Sequence, residues 1–291
     1  MTPPEVFALR PTGGPANSPG WSLRVIPNKF PVVQGASGQG GGTSSARELL
    51  PAEQATGVHE VVIETPRHVT TIAALPEKEM VDVLAAFRRR LLEIRRRRGI
   101  RYVLIFKNQG PEGGASIEHT HSQIVGLPKV PEQIARSLRA ARRYDKEHGR
   151  CLLCDVLQTE TAAGERLIDE SEAFVAFSKH AGRFPYESRI CPRLHQGTFE
   201  SASEEALHDL AAMLRRLLRA LDRVEPEAGY NLMLHTSPAG RRHEAYYHWH
   251  LELSPRLTGI AGFELATDWH MNPVTPEQAA QRLRQAIAEL G

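Results

Sequence analysis

The chain has 291 residues, 41% apolar and 24% charged, the balance of a water-exposed globular protein with one large domain or two of ordinary size. A formal net charge of +2 argues for neither a nucleic-acid nor an acidic-membrane partner, and no apolar run approaches the roughly 20 residues that span a bilayer. Three cysteines (Cys151, Cys154 and Cys191) are too few for a disulfide framework, and the N-terminus shows neither a basic start nor an apolar segment, so the chain reads as cytoplasmic.

Residues 21–33 read as a strand running into a turn at Pro27-Asn28, and residues 58–65 as a second strand between Gly57 and Pro66. Between them, residues 35–47 are too rich in glycine to bury a core, which leaves a plain surface loop or a flap over a ligand. Residues 76–98 predict a helix: Pro76 suits its first position, and Met80, Val83, Leu84, Phe87, Leu91 and Ile94 recur at helical spacing. Arg88–Arg90 and Arg95–Arg98 are expected largely on its solvated side, favoured near the C-terminal end. A strand at 101–108, a glycine-rich turn at 109–116 and a segment at 119–127 follow.

The second half repeats this order. A helix at about 201–224, with Ser201 and Glu204 as a capping pair, precedes a strand at 229–238 and a segment at 246–255; a last helix spans about 276–290. His68 lies 51 positions before His119, and His195 lies 53 before His248. Matching order and spacing predict an internal duplication with halves 1–147 and 148–291.

Two constellations carry chemistry. On a strand, His119, His121 and Gln123 share one face. They are either a solvent-facing edge or, beside the Gly113-Gly114 turn whose amides approach phosphate closely, a site for phosphorus chemistry. The second joins Cys151-x-x-Cys154 to His195 and His248: a closed tetrahedral zinc set, or a buried cysteine pair without metal. Cys191 reads as a core cysteine.

The segments PNKFP (27–31), HEVVIETPRH (59–68), FKNQG (106–110), GGASIEHTHSQI (113–124), FPYE (184–187), YNLMLH (230–235) and HWHLELSPRLTGIAGFE (248–264) together resemble the galactose-1-phosphate uridylyltransferase family of the histidine-triad superfamily. The resemblance covers nearly the whole chain. It implies an α+β fold of two histidine-triad-like halves, with an antiparallel sheet and helices packed on one side, and pairing into a homodimer. Gln123 stands where the hydrolase branch carries a third histidine, so the chain resembles the transferases. The resemblance makes His121 the nucleophile and Gln123 a donor to phosphoryl oxygens. It places Asn108, Gly114 and Ser116 at phosphate and Asn28 at the nucleotide. Phe263 and Glu264 fall at the hexose. Cys151, Cys154, His195 and His248 match a structural zinc site, and His68 and His119 match ligands of a first-half metal site.

The implied reaction is double displacement: UDP-glucose uridylylates His121, and galactose 1-phosphate collects the uridylyl group. Departures are visible. The N-terminal cysteine pair of the family is missing before Thr2-Pro3-Pro4-Glu5, through a start assigned too late or an absent site. Lys29 replaces an acidic ribose contact and Phe263 a tyrosine. An adenylyltransferase or phosphorylase acting on ADP-sugars by the same histidine stays open, as does a non-catalytic nucleotide- or zinc-binding protein.

Overall fold

A computed structural model describes residues 2–35 and 54–290; apart from Gly35, the glycine-dense stretch lies outside the described residues. The strands are β1 (Phe7–Leu9), β2 (Leu23–Pro27), β3 (Val58–Ile63), β4 (Tyr102–Gln109), β5 (His121–Leu127), β6 (Leu167–Glu170), β7 (Phe174–Ser178), β8 (Ser188–Pro192), β9 (Tyr230–His235) and β10 (His250–Pro255). The helices are α1 (Glu77–Arg95), α2 (Glu132–His148), α3 (Leu152–Ala163), α4 (Glu204–Val224), α5 (Gly262–Thr267) and α6 (Pro276–Glu289).

The ten strands among the described residues form one antiparallel sheet in the order β1-β2-β3-β5-β4-β9-β10-β8-β7-β6. That order is a mirror: reading outward from the β4–β9 seam, β5, β3, β2 and β1 answer β10, β8, β7 and β6. At the seam Ile105 lies opposite Leu234 and Asn108 opposite Asn231. The repeat seen in the histidine spacing is therefore a repeat in space.

Side chains alternate across the pleat. On one face, Val62, Ile105, Ile124, Leu232 and Leu251 pack against the apolar stripes of α1, α4 and α6 in one continuous core. Burial of this stripe, more than intrinsic propensity, holds the helices. α1, α4 and α6 thus keep to one side, as expected. The sequence reading did not anticipate α2 and α3, which cover part of the opposite face. Ile134, Leu138 and Ala141 of α2 meet Tyr102, and Leu157 of α3 packs with Val175, Phe177 and Cys191. Cys191 is thus the core cysteine expected.

Three local expectations change. Pro76 is the cap of α1 and Glu77 its first residue. Ser201 sits in a short 3-10 turn, and Ser203 caps α4 by accepting from the Ala206 N–H. Arg90 is not solvated: it is 2% exposed and donates twice to the Glu60 carboxylate, at 2.8 and 2.7 Å. A lone buried guanidinium would be untenable, and the bidentate partner on β3 makes it tolerable.

Candidate active site and metal centre

His121 opens β5 on the face opposite α1. Its Nδ1 lies 2.8 Å from the His119 carbonyl oxygen, which only accepts, so the Nδ1 proton donates there. The neutral ring then carries its lone pair on Nε2. A nucleophile needs that tautomer held before substrate arrives.

Gly110 and Gly114 take positive φ, +71° and +81°. A Cβ on Gly113 would sit 2.2 Å from the Gln109 carbonyl oxygen and 2.6 Å from that of Tyr230, so only glycine fits. The Gly114 amide, expected near phosphate, is instead spent inside the turn on the Pro111 carbonyl, as the neighbouring Ala115 amide is on that of Gly110. The glycines serve close approach of the chain. Asn108 accepts from Asn231 Nδ2 at 3.0 Å, which leaves its own amide N–H groups as donors. Asn231, absent from the sequence reading, also donates to the Gly113 carbonyl at 2.7 Å, tying the second half to the turn of the first. Asn108, Ser116, His119 and His121 line a cavity of about 950 Å³.

On the other side of His121, Gln123 Oε1 lies 2.8 Å from His59 Nε2, and Asn28 Nδ2 is 3.1 Å from the same nitrogen. Asn28, Gln123 and His121 thus come together around β5 and β3. Phe263 and Glu264 do not join them in this chain. They lie on α5, where Glu264 accepts from the Ala261 N–H at 3.1 Å, and they do not line the His121 cavity. His68 and His119 approach each other, ring centres 6.0 Å apart, but no further ligand joins them among the described residues.

Cys151, Cys154, His195 and His248 converge, all four ligand atoms within 4.8 Å. Cys154 Sγ is 3.5 Å from His195 Nδ1 and 3.4 Å from His248 Nδ1. Bonds of about 2.3 Å to sulfur and 2.0–2.1 Å to nitrogen at tetrahedral angles place such atoms about 3.5 Å apart. His195 donates its Nε2 proton to the Glu244 carbonyl at 2.8 Å, turning the Nδ1 lone pair toward the sulfurs. Burial, then the adjacent Cys151, pushes the Cys154 thiol up to about 12, a cost that a divalent cation reverses. The residues fit a four-ligand metal.

The duplication sets His250 against His121. His250 Nδ1 meets the His248 carbonyl at 3.0 Å, as His121 Nδ1 meets that of His119. In place of Gln123, however, stands Glu252, a carboxylate that repels phosphoryl oxygens and is held by Lys179 at 2.8 Å and Arg189 at 3.1 Å. His235, His250 and Glu252 also cluster within 4.8 Å, but those two cations already neutralise the carboxylate. The second copy of the site therefore presents an ion-paired carboxylate where the first presents an amide.

Burial lowers His235 from 6.5 to about 4. The unfolded histidine takes up its proton first, so stability is full above about pH 6.5 and falls as pH drops toward 4, by up to about 3 kcal/mol. Urea unfolding from pH 7.5 to 4.5 should show this slope, and His235→Asn should lessen it without abolishing it, since burial lowers His248 and His250 as well; an equal slope in both proteins would remove His235 as a source.

A family model described as galactose-1-phosphate uridyl transferase, N-terminal domain, matches residues 13–131, and the corresponding C-terminal domain model matches residues 137–290. ADP-glucose phosphorylase of Arabidopsis thaliana is 33% identical over 290 residues, 97% of this chain and 78% of the relative. Galactose-1-phosphate uridylyltransferase of Thermotoga maritima is 32% identical over 246 residues, 82% of this chain and 77% of the relative. The crystal structure of an Arabidopsis thaliana ADP-glucose phosphorylase with bound ADP-glucose superposes with a TM-score of 0.84 at 33% identity, covering 98% of this chain and 87% of that one.

Proposed function

We propose a specific activity from one premise: this chain belongs to the galactose-1-phosphate uridyl transferase family, whose two domain models together match most of its length. The activity is uridylyl transfer between UDP-glucose and a hexose 1-phosphate, galactose 1-phosphate in the first instance. The observation that carries it is the tautomer of His121, Nε2 bare beside Gln123, since Nδ1 is committed to the His119 carbonyl. Nε2 attacks the α-phosphorus; the bond to the sugar-phosphate oxygen breaks, and hexose 1-phosphate leaves with that electron pair. The phosphoramidate preserves transfer potential, and a second hexose 1-phosphate reverses the step. Asn108, Ser116 and Gln123 donate to the phosphoryl oxygens, and Gly114 lets the chain approach them; charge stabilisation of this kind is the main demand of phosphoryl transfer. Asn28 contacts the nucleotide.

A second reading, adenylyl transfer from ADP-glucose with phosphate as acceptor, is favoured by the 33% identity to an ADP-glucose phosphorylase across 97% of the chain. Intact mass spectrometry after mixing with each donor decides: a uridylyl adduct from UDP-glucose supports the first reading, and an adenylyl adduct from ADP-glucose alone replaces it with the second. No adduct from either leaves a non-catalytic binding protein.

The halves 1–147 and 148–291 act as a catalytic and a metal-bearing unit, in a cytoplasmic protein without nucleic-acid or membrane partners; no helix among the described residues is long and apolar enough to cross a membrane. Phe263 and Glu264 serve the hexose of the partner subunit in a homodimer. Phe30, Leu265, Trp269 and Met271 are large apolar side chains left exposed, Trp269 by 74%, and supply surface for such an interface. Structural zinc occupies the Cys151, Cys154, His195 and His248 set, while His68 and His119 form an incomplete site. Metal analysis should find about one zinc per chain, lost in Cys154→Ser together with several degrees of melting temperature. Two zincs per chain would show that a further site is filled, either the first-half pair or the His235, His250 and Glu252 cluster.

A further inference from the structure

We infer that His59 is a positioning residue that decides which end of the Gln123 amide faces the reacting phosphoryl group. The inference rests on the reading of His121 as nucleophile.

A glutamine amide has two ends of nearly equal size and opposite polarity. Its NH2 end donates to phosphoryl oxygens; its carbonyl end repels them. Gln123 serves transfer in only one of the two orientations, and nothing in its own strand selects it.

His59 supplies the selection. It lies on β3 opposite Val125, while Val61 lies opposite Gln123, so His59 and Gln123 are diagonal neighbours on one face of the sheet. His59 is 6% exposed, and its ring nitrogens have neighbours on both sides. At Nδ1 the Val32 N–H donates at 3.1 Å, so that nitrogen holds the lone pair. The ring proton therefore sits on Nε2, which donates to Gln123 Oε1 at 2.8 Å. With its oxygen committed, Gln123 turns its two N–H groups away from His59 to the space beside His121. Asn28 is oriented by its Oδ1, which accepts the Phe30 N–H at 2.9 Å; its Nδ2 packs beside the ring, 3.1 Å from Nε2 and 3.5 Å from Nδ1, and makes no hydrogen bond to the protonated Nε2. Burial holds His59 below its ordinary pKa, so the singly protonated ring persists at neutral pH.

The consequence is a relay. The backbone of the 28–32 segment fixes a tautomer, the tautomer fixes an amide, and the amide meets the transition state. The nucleotide-contact loop and the phosphoryl donor are joined through one imidazole.

Two measurements test this on the full-length protein. The first is 15N NMR of the His59 ring in the ligand-free enzyme, which should report Nε2–H at neutral pH; an Nδ1–H ring overturns the inference. The second is kinetics with whichever donor nucleotidylates the parent. His59→Leu should lower kcat about 10²- to 10³-fold with KM near the parent value, the loss typical of one misdirected donor. His59→Gln places an amide N–H near the Nε2 position and should recover kcat to within about tenfold of the parent. A His59→Leu enzyme with parental kcat, or equal losses in both variants, overturns it. If the parent forms no adduct, the nucleophile reading fails and the tautomer measurement still decides His59. If His59→Leu does not fold, that measurement decides as well.

Discussion

His121→Asn should fold like the parent, form no nucleotidyl adduct and lose turnover by on the order of 10⁴-fold or more, the scale on which enzymes lose a covalent nucleophile. Asparagine is the informative replacement because its amide nitrogen falls where Nδ1 was. It keeps a donor for the His119 carbonyl, now 2.8 Å from Nδ1, while deleting Nε2. Intact mass spectrometry and steady-state rates read the outcome; an adduct that survives at parental yield would falsify the assignment. His250→Asn is the control. His250 repeats the backbone hydrogen bond of His121, yet its neighbour is the ion-paired Glu252, so this variant should keep the adduct.

Lys107→Met should cost about 3–5 kcal/mol of stability, the usual result of stripping one partner from a buried ion pair. Lys107 and Glu64 are almost fully buried beneath the nucleophile strand. Lys107 Nζ donates to Glu64 at 3.0 Å, to Thr120 Oγ1 at 2.8 Å and to the His121 carbonyl at 2.9 Å. Glu64 also accepts from Ser122 Oγ at 2.5 Å and from the Thr120 hydroxyl. Burial lowers the Lys107 pKa, a sign of the desolvation this network offsets. Removing the ammonium leaves a carboxylate with no charge partner. Adding Glu64→Gln to Lys107→Met should return part of the loss, because the orphaned charge goes with it. Urea unfolding of the two single variants and the double gives the coupling. A Lys107→Met loss below about 1 kcal/mol would mean that water replaces the ammonium. The network also grips the His121 carbonyl, so Lys107→Met should slow adduct formation in whatever fraction stays folded.

The helices missed from the sequence show where pattern reading runs out. In α2 only Ile134, Leu138 and Ala141 are buried, within a sequence of arginines and other polar side chains. Such a stripe is too thin to stand out until Tyr102 is known to lie beneath it. α3 begins directly after Cys151 with no side-chain cap, so a cysteine motif marked its start where a helix signal was sought. Arg90 reads as one more arginine in a basic run because its partner Glu60 is 30 residues away on β3.

The sequence alone determined whatever rests on covalent spacing. The two-residue pitch of a strand put His121 and Gln123 on one face, though His119 falls in a bend before β5 begins, and the repeated interval between histidines disclosed the duplication that the mirrored sheet displays. Cys151 and Cys154, read from their motif, and His195 and His248, read from that interval, lie with their ligand atoms within 4.8 Å of one another. Only the tertiary structure decided which groups control which. His59 reaches Gln123 across 64 residues and Asn231 reaches Asn108 across 123, both through strand register. Register is set by the burial of whole strands and leaves no mark at either residue. His121 is recognisable from its motif, but the His119 carbonyl that holds its Nδ1 proton, and the distant groups that meet the amide of Gln123, are visible only in the folded chain.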